Sequence, residues 1–149
     1  ACRIGDAIHL GRQHEFEDGG VTFIGWQPAK KGSAFVEVPM SPQLFKATRH
    51  SNVIGKTYLL KADGSPYRAP DNLGQQFRKW IKQAGLQNRS AHGIRKSVGK
   101  ILAEFGCSQY QIMTIHGHTQ AKTSEVYTKS LERRTLAKEA MEQMASMQW

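Results

Sequence analysis

Cysteine is scarce in this chain. There are two in 149 residues, Cys2 and Cys107, with no framework spacing. That excludes a disulfide-stapled secreted module and fits a reducing, cytosolic compartment. Long apolar runs are missing as well: nothing approaches the roughly 18 consecutive apolar residues that a membrane span needs, and no signal peptide is visible. Internal repeats and low-complexity linkers are absent, which excludes solenoid architectures. Acidic residues are few: Asp and Glu total 12 against 21 Lys and Arg, for a formal charge of +9 and a pI near 9.8. Such a balance favours a polyanionic partner, usually nucleic acid, although composition alone equally fits a basic solvated surface. The length suffices for one domain with a core of its own.

Residues 3–10 have the pattern of a short helix, with Ile4, Ala7 and Ile8 on one side. From Phe16 to Pro39 the pattern changes to strands. Val21–Trp26 and Ala34–Val38 are rich in β-branched and aromatic residues, with turns at Gly19-Gly20 and Lys31-Gly32-Ser33. The result is a small antiparallel sheet with Lys30 and Lys31 in its last hairpin. Helices are predicted over Pro42–Arg49 and over 71–84. The latter has Leu73, Phe77, Trp80, Ile81 and Ala84 on one face, Arg78, Lys79 and Lys82 on the other, and Gly85 at its end. Ser90 is set to cap a helix over 91–105, and Ile94, Val98, Ile101, Leu102 and Phe105 form an apolar stripe that would anchor it in a core. Its other face would present His92 and Arg95 outward, at the N-terminal end that suits a phosphate. Gly106 breaks this helix. Ser108 caps a short one through Ile115, and Thr119 starts the helix carrying Tyr127. A further helix over 131–147 places Leu136, Ala140, Met144 and Met147 on one stripe, beside Ala137 and Met141. The fold class is α+β, mostly helical with a small antiparallel sheet.

His118 stands nine residues before Tyr127. A tyrosine hydroxyl titrates near ~10 and is a poor nucleophile unaided. Cationic groups around a phosphodiester would lower the cost of its ionisation and stabilise the transition state. Taken singly, each residue has a plainer reading: a structural histidine, a half-buried core tyrosine, a surface arginine, solvated hairpin lysines. Their conjunction is what carries weight.

His92-Gly93-Ile94-Arg95, Gly117-His118 and Val126-Tyr127-Thr128 occur in the order and spacing of the tyrosine recombinases, the phage-integrase family, and the chain resembles that family from Arg3 to Tyr127. Ala1-Cys2-Arg3-Ile4-Gly5-Asp6-Ala7 is similar to the segment carrying the family's first arginine, and Ala29-Lys30-Lys31-Gly32 to the hairpin holding its lysine. The resemblance implies one catalytic domain over 1–149, cut from a longer protein. The opening on Ala1 rather than Met reads as the start of such a fragment, and in the family more helices and a DNA-clamping domain would precede it. It also implies site-specific DNA recombination or integration by transesterification. Tyr127 would attack the scissile phosphate, form a 3′-phosphotyrosyl link and release a 5′-hydroxyl, with no nucleotide cofactor. Arg3 and Arg95 would grip the non-bridging oxygens. His92 would accept a proton or contact the phosphate, His118 would donate to it, and Lys30, rather than Lys31, would protonate the leaving oxygen. Asp6 would orient Arg3 or His92.

The implied partners are double-stranded DNA, further protomers in a synaptic tetramer, and accessory DNA-bending proteins, with no membrane. The implied location is cytoplasmic, on the nucleoid. The segment after Tyr127 would be a mobile helix on a short tether that docks on a neighbouring protomer, or else folds back on its own domain. His116 departs from the family, which usually has an apolar residue there. Cys107, His116 and His118 can be imagined as metal ligands, but His116 and His118 straddle Gly117 without the i,i+4 spacing of zinc helices, and neither metal nor cofactor is expected. The alternatives are a non-catalytic DNA-binding domain and a relative of the type IB topoisomerases or telomere resolvases.

Overall fold

A computed structural model describes residues 2–50 and 52–146, the side chain of Ser130 excepted. The chain opens with a single helical turn, α1 (Ile4–Ala7), shorter than the 3–10 expected. Three strands follow, β1 (Glu15–Asp18), β2 (Val21–Trp26) and β3 (Val36–Pro39), antiparallel in the order β1-β2-β3. Gly19 and Gly20 both take positive φ (55° and 78°), the two-residue turn that matches strand twist. The register sets Glu15 against Ile24 and Trp26 against Val36. Ile24, Trp26 and Val36, with Leu10 and Met40, form the sheet-side core, and Ile8, Tyr67 and Leu73 a smaller cluster under α1.

The helices are α2 (Pro42–Thr48), α3 (Pro70–Gln83), α4 (Ala91–Glu104), α5 (Gln109–His116) and α6 (Lys122–Ala145). Their starts follow the expected chemistry. Ser90 Oγ accepts from the Gly93 N–H, and Ser108 and Gln111 form a capping box. The α+β class, the strand pairing and the helix order agree with the sequence.

Three expectations do not hold. On α4, most of the stripe assigned to the core faces solvent: Ile94, Ile101 and Phe105 are 53%, 48% and 84% exposed, while Val98 and Leu102 are half-buried. Arg95, Gly99 and Ala103 are buried instead, against α5 and α6. Arg95 therefore points inward, not outward. On α3, Leu73 is buried, but Trp80 and Ala84 are exposed and Phe77 and Ile81 half-buried. Thirdly, the helix bearing Tyr127 does not start at Thr119 and does not end before a tether. It begins at Lys122 and runs unbroken to Ala145, because nothing between those residues is Gly or Pro.

The last turns of α6 do not fold back. Leu136, Met141 and Met144 are 62%, 61% and 47% exposed, and Ala137 and Ala140 are exposed too; Met147 lies outside the described residues. Truncation after Ser130 is accordingly expected to leave a soluble domain whose melting temperature shifts by only a few degrees, with a measurable loss of helicity by circular dichroism. An insoluble or unfolded product would show that the end of α6 belongs to the core.

Candidate active site

Three elements converge on one cleft. The hairpin between β2 and β3 is closed by a turn in which the Ser33 N–H donates to the Lys30 carbonyl (3.1 Å), with Gly32 at φ 74°. Asp6 on α1, 6% exposed, anchors its base by accepting from the Ala29 N–H at 2.8 Å. Asp6 thus orients the hairpin, not Arg3 or His92 as expected. The Ala34 N–H donates to the Gly117 carbonyl (3.2 Å), and Thr119 Oγ1 donates to the Gly32 carbonyl (3.1 Å), tying the α5–α6 loop to the hairpin. Gly117 ends α5 at φ 63°, and a Cβ there would lie 2.6 Å from Val36 Cγ2. Only glycine fits both the conformation and the approach.

Arg3, Lys30, Lys31, Ser33, His118 and Thr123 are among the lining residues of the resulting cleft, about 100 Å³ in volume. Arg3 donates to Ser33 Oγ at 3.3 Å. Arg95 lies beneath, 6% exposed. Its Nη2 donates to the His116 carbonyl at 2.5 Å and lies 3.2 Å from His118 Nε2. A guanidinium only donates, so His118 Nε2 is the acceptor. His118 Nδ1 then carries the proton and faces the fully buried Ser124 Oγ at 2.9 Å. Burial, reinforced by Arg95, Arg3 and Lys30, pushes the His118 pKa down to about 4, so the ring is neutral at pH 7. Burial likewise lowers the Arg95 pKa, with Arg3 adding to the effect.

Tyr127 sits one helix over. Its ring meets that of His116 edge-on, with centroids 5.6 Å apart, and it lines a second cleft of about 280 Å³ with Lys96, Ser97, Lys100 and Val126. A Cβ on Gly99 would be 2.9 Å from Tyr127 Cε2 and Cζ and from His116 Cε1. The absent side chain at Gly99 is what lets both rings lie against α4.

The structure therefore brings Arg3, Lys30 and His118 to one cleft, with Arg95 bonded beneath it and Tyr127 beside it. It does not bring His92, which is exposed on the first turn of α4 and lines neither cleft. Sequence reasoning left His116 without a role, yet among the described residues it is the most enclosed polar ring: 1% exposed, edge-on to both His118 (5.3 Å) and Tyr127. One signal could have found it. Ile112 and His116 are four apart on α5, and Ile112 is fully buried, so His116 shares the buried face. No group of three His, Cys, Asp or Glu that could hold a metal occurs among the described residues.

His116 is also pushed down to about pKa 3, by burial first and then by Arg95 and His118. Both histidines therefore have folded pKa values below the unfolded value near 6.5. The unfolded chain binds more protons between those limits, so stability is fully present above about pH 6.5 and falls as pH drops toward 4 and 3. Urea titrations are expected to show a lower midpoint at about pH 5 than at 7.5, corresponding to a loss of unfolding free energy on the order of 1 kcal/mol or more. Carboxylates alone would defer the loss to lower pH. An unchanged midpoint over that interval would contradict the assignment.

The fold is a mostly helical α+β domain in which a cleft lined by Arg3, Lys30 and His118 lies over Arg95 and beside Tyr127. The sequence model of the phage integrase family matches residues 1–134, and the chain belongs to that family. No curated protein matches it. Among solved structures it is similar to the XerA recombinase, at 19% identity and TM-score 0.69, covering 99% of this chain and 54% of that one. It is also similar to the Tn1549 transposon integrase in complex with circular intermediate DNA (16%, TM-score 0.64, 90% and 55%), and to a lambda integrase dimer bound to a COC′ core site (17%, TM-score 0.63, 85% and 38%). These likenesses show the shared fold, and the chain spans about half or less of the length of each. Among the described residues no helix is long and apolar enough to cross a membrane.

Proposed function

We propose that the chain is the strand-transferring part of a site-specific DNA recombinase or integrase, cutting and rejoining DNA through a 3′-phosphotyrosyl link at Tyr127. The observation that carries this reading is the pairing of Arg95 with His118 under a cleft shared with Arg3 and Lys30. That collects fixed positive charge and donors where a phosphate would sit, in a family whose solved members include DNA complexes. Arg3 and Arg95 would take the non-bridging oxygens as paired forks. When Arg95 turns its Nη2 to the phosphate, His118 Nε2 loses its donor. Ser124 can then donate to Nδ1, since a hydroxyl serves either role, and the imidazole proton moves to Nε2 to face the phosphate. Proton acceptance by His92 would require it to come in from the surface as DNA seats over the first turn of α4.

Tyr127 Oη would attack phosphorus as the bond to the 5′-oxygen breaks, and Lys30 would protonate that oxygen. Both Lys30 and Lys31 line the cleft, and Lys30 is favoured because it aligns better with the lysine of the family's hairpin. A DNA substrate with a 5′-bridging phosphorothiolate has a leaving group that needs little protonation. It is expected to restore cleavage to Lys30→Ala but not to the same extent to Arg3→Ala. If Lys31→Ala shows that rescue instead, Lys31 is the acid.

The partners follow the same reading: double-stranded DNA, other protomers in a synaptic tetramer, and accessory DNA-bending proteins, in the cytoplasm on the nucleoid. The exposed methionine-bearing stripe at the end of α6 suits docking on a neighbouring protomer. A nicked suicide DNA site resolved on a denaturing gel tests the function. Slow-migrating protein–DNA adducts support it, while DNA retention without adducts would favour a DNA-binding domain without catalysis. Relaxation of supercoils with no site preference would favour a topoisomerase-like relative.

A further inference from the structure

His116 occupies the centre of the site without any hydrogen bond to its ring. Nδ1 and Nε2 are both buried and both lack a partner. Buried polar atoms are nearly always bonded, and one left bare is a cost that an apolar residue at the same place would avoid. Leu or Phe could fill this position against Gly99 with no such cost. The backbone role of His116, accepting from Arg95, is open to any residue. What only the imidazole supplies is a nitrogen, and the surroundings say for whom. Arg95 on α4 is engaged by the His116 carbonyl and His118; Arg3 donates to Ser33; His118 is engaged through both nitrogens. Of the two rings that meet His116 edge-on, that of Tyr127 is the one carrying a hydroxyl, a group for which no hydrogen bond is found among the described residues. A single point, the Cβ position of Gly99, lies 2.9 Å from His116 Cε1, the carbon between the two nitrogens, and 2.9 Å from Tyr127 Cζ, the carbon bearing the hydroxyl.

We propose that His116 is a positioning residue for Tyr127: its neutral imidazole accepts a hydrogen bond from the Tyr127 hydroxyl as the phenol turns from the Lys96 side toward Arg95, holding the oxygen ready for attack. The inference rests on the strand-transfer reading and adds to it a residue at which the family usually has an apolar side chain. Because burial and Arg95 keep the ring uncharged, it acts as an acceptor and adds no further positive charge beside the arginines.

Two measurements test it. The first is single-turnover adduct formation on saturating suicide DNA, alongside DNA affinity, for His116→Phe and His116→Gln. Phe keeps the ring volume without nitrogens, and Gln keeps a polar acceptor without the ring. His116→Phe is expected to slow adduct formation by about tenfold with unchanged DNA affinity, and His116→Gln to recover most of that loss. Wild-type rates in His116→Phe, or a folded His116→Gln no better than Phe, would overturn the proposal in favour of simple packing. The second is the imidazole 15N spectrum of the histidine-labelled chain on an uncleavable DNA site, for wild type and Tyr127→Phe. DNA is expected to move one His116 nitrogen to the shift of a bonded acceptor in wild type and not in Tyr127→Phe; the same spectrum in both would overturn it. If wild type makes no adduct but the 15N difference is present, the strand-transfer reading fails and the His116–Tyr127 bond stands.

Discussion

Tyr127→Phe is expected to abolish the covalent protein–DNA adduct, by at least about 10³-fold, while leaving DNA binding intact. The substitution removes one atom, the oxygen that would attack phosphorus. It keeps the ring that lies edge-on to His116 and against Gly99. No hydrogen bond to the Tyr127 hydroxyl holds the fold together among the described residues, so thermal stability should change by less than about 1 kcal/mol. Denaturing gels give the adduct and gel shifts the binding. A mutant that forms the adduct normally would move the nucleophile elsewhere. A mutant that loses both binding and fold would make Tyr127 a core residue.

Arg95 carries the second large effect. Its guanidinium engages the His116 carbonyl and His118 Nε2, among other interactions, from a buried position. Arg95→Ala is expected to slow adduct formation by about 10²–10³-fold, the usual consequence of deleting one preorganised donor to a transition-state charge. It should also lower stability by about 1–3 kcal/mol, because the His116 carbonyl is left unsatisfied inside the domain. Arg95→Lys separates the two. A lysine can donate to the carbonyl and restore much of the stability, but its point charge cannot serve the carbonyl and a phosphate as a planar fork does. Cleavage should therefore stay low while the melting temperature recovers. Near-wild-type cleavage by Arg95→Lys would mean that charge alone suffices there.

Much of this architecture was legible because local chemistry decided it. Ser90, Ser108 and Pro42 start their helices where hydroxyl caps and an N-terminal proline predict. Gly19-Gly20 turns the first hairpin, and the β-branched and aromatic run Val21–Trp26 forms its second strand. What failed was the orientation of α4. Hydrophobic periodicity put Ile94, Ile101 and Phe105 inside, whereas close approach of α5 and α6 admits only the small side of that helix, at Gly99 and Ala103. It also admits Arg95 because the folded chain supplies it with acceptors. Neither closeness nor a distant carbonyl is written in a helix's own periodicity. The site motifs were found through their order along the chain, while the pairing of Arg95 with His118 and the ring contacts of His116 depend on how α4, α5 and α6 meet.

The central claim is that a DNA 3′-phosphate becomes bonded to Tyr127, and one measurement addresses it directly. A suicide site is cleaved, the DNA is trimmed with nuclease, the protein is digested with trypsin, and the nucleotide-bearing peptide is sequenced by mass spectrometry. The account predicts that the nucleotide is carried on the peptide Thr123–Lys129 and that fragmentation places it on Tyr127. A nucleotide on Tyr110, on Ser124 or on any other residue would contradict it.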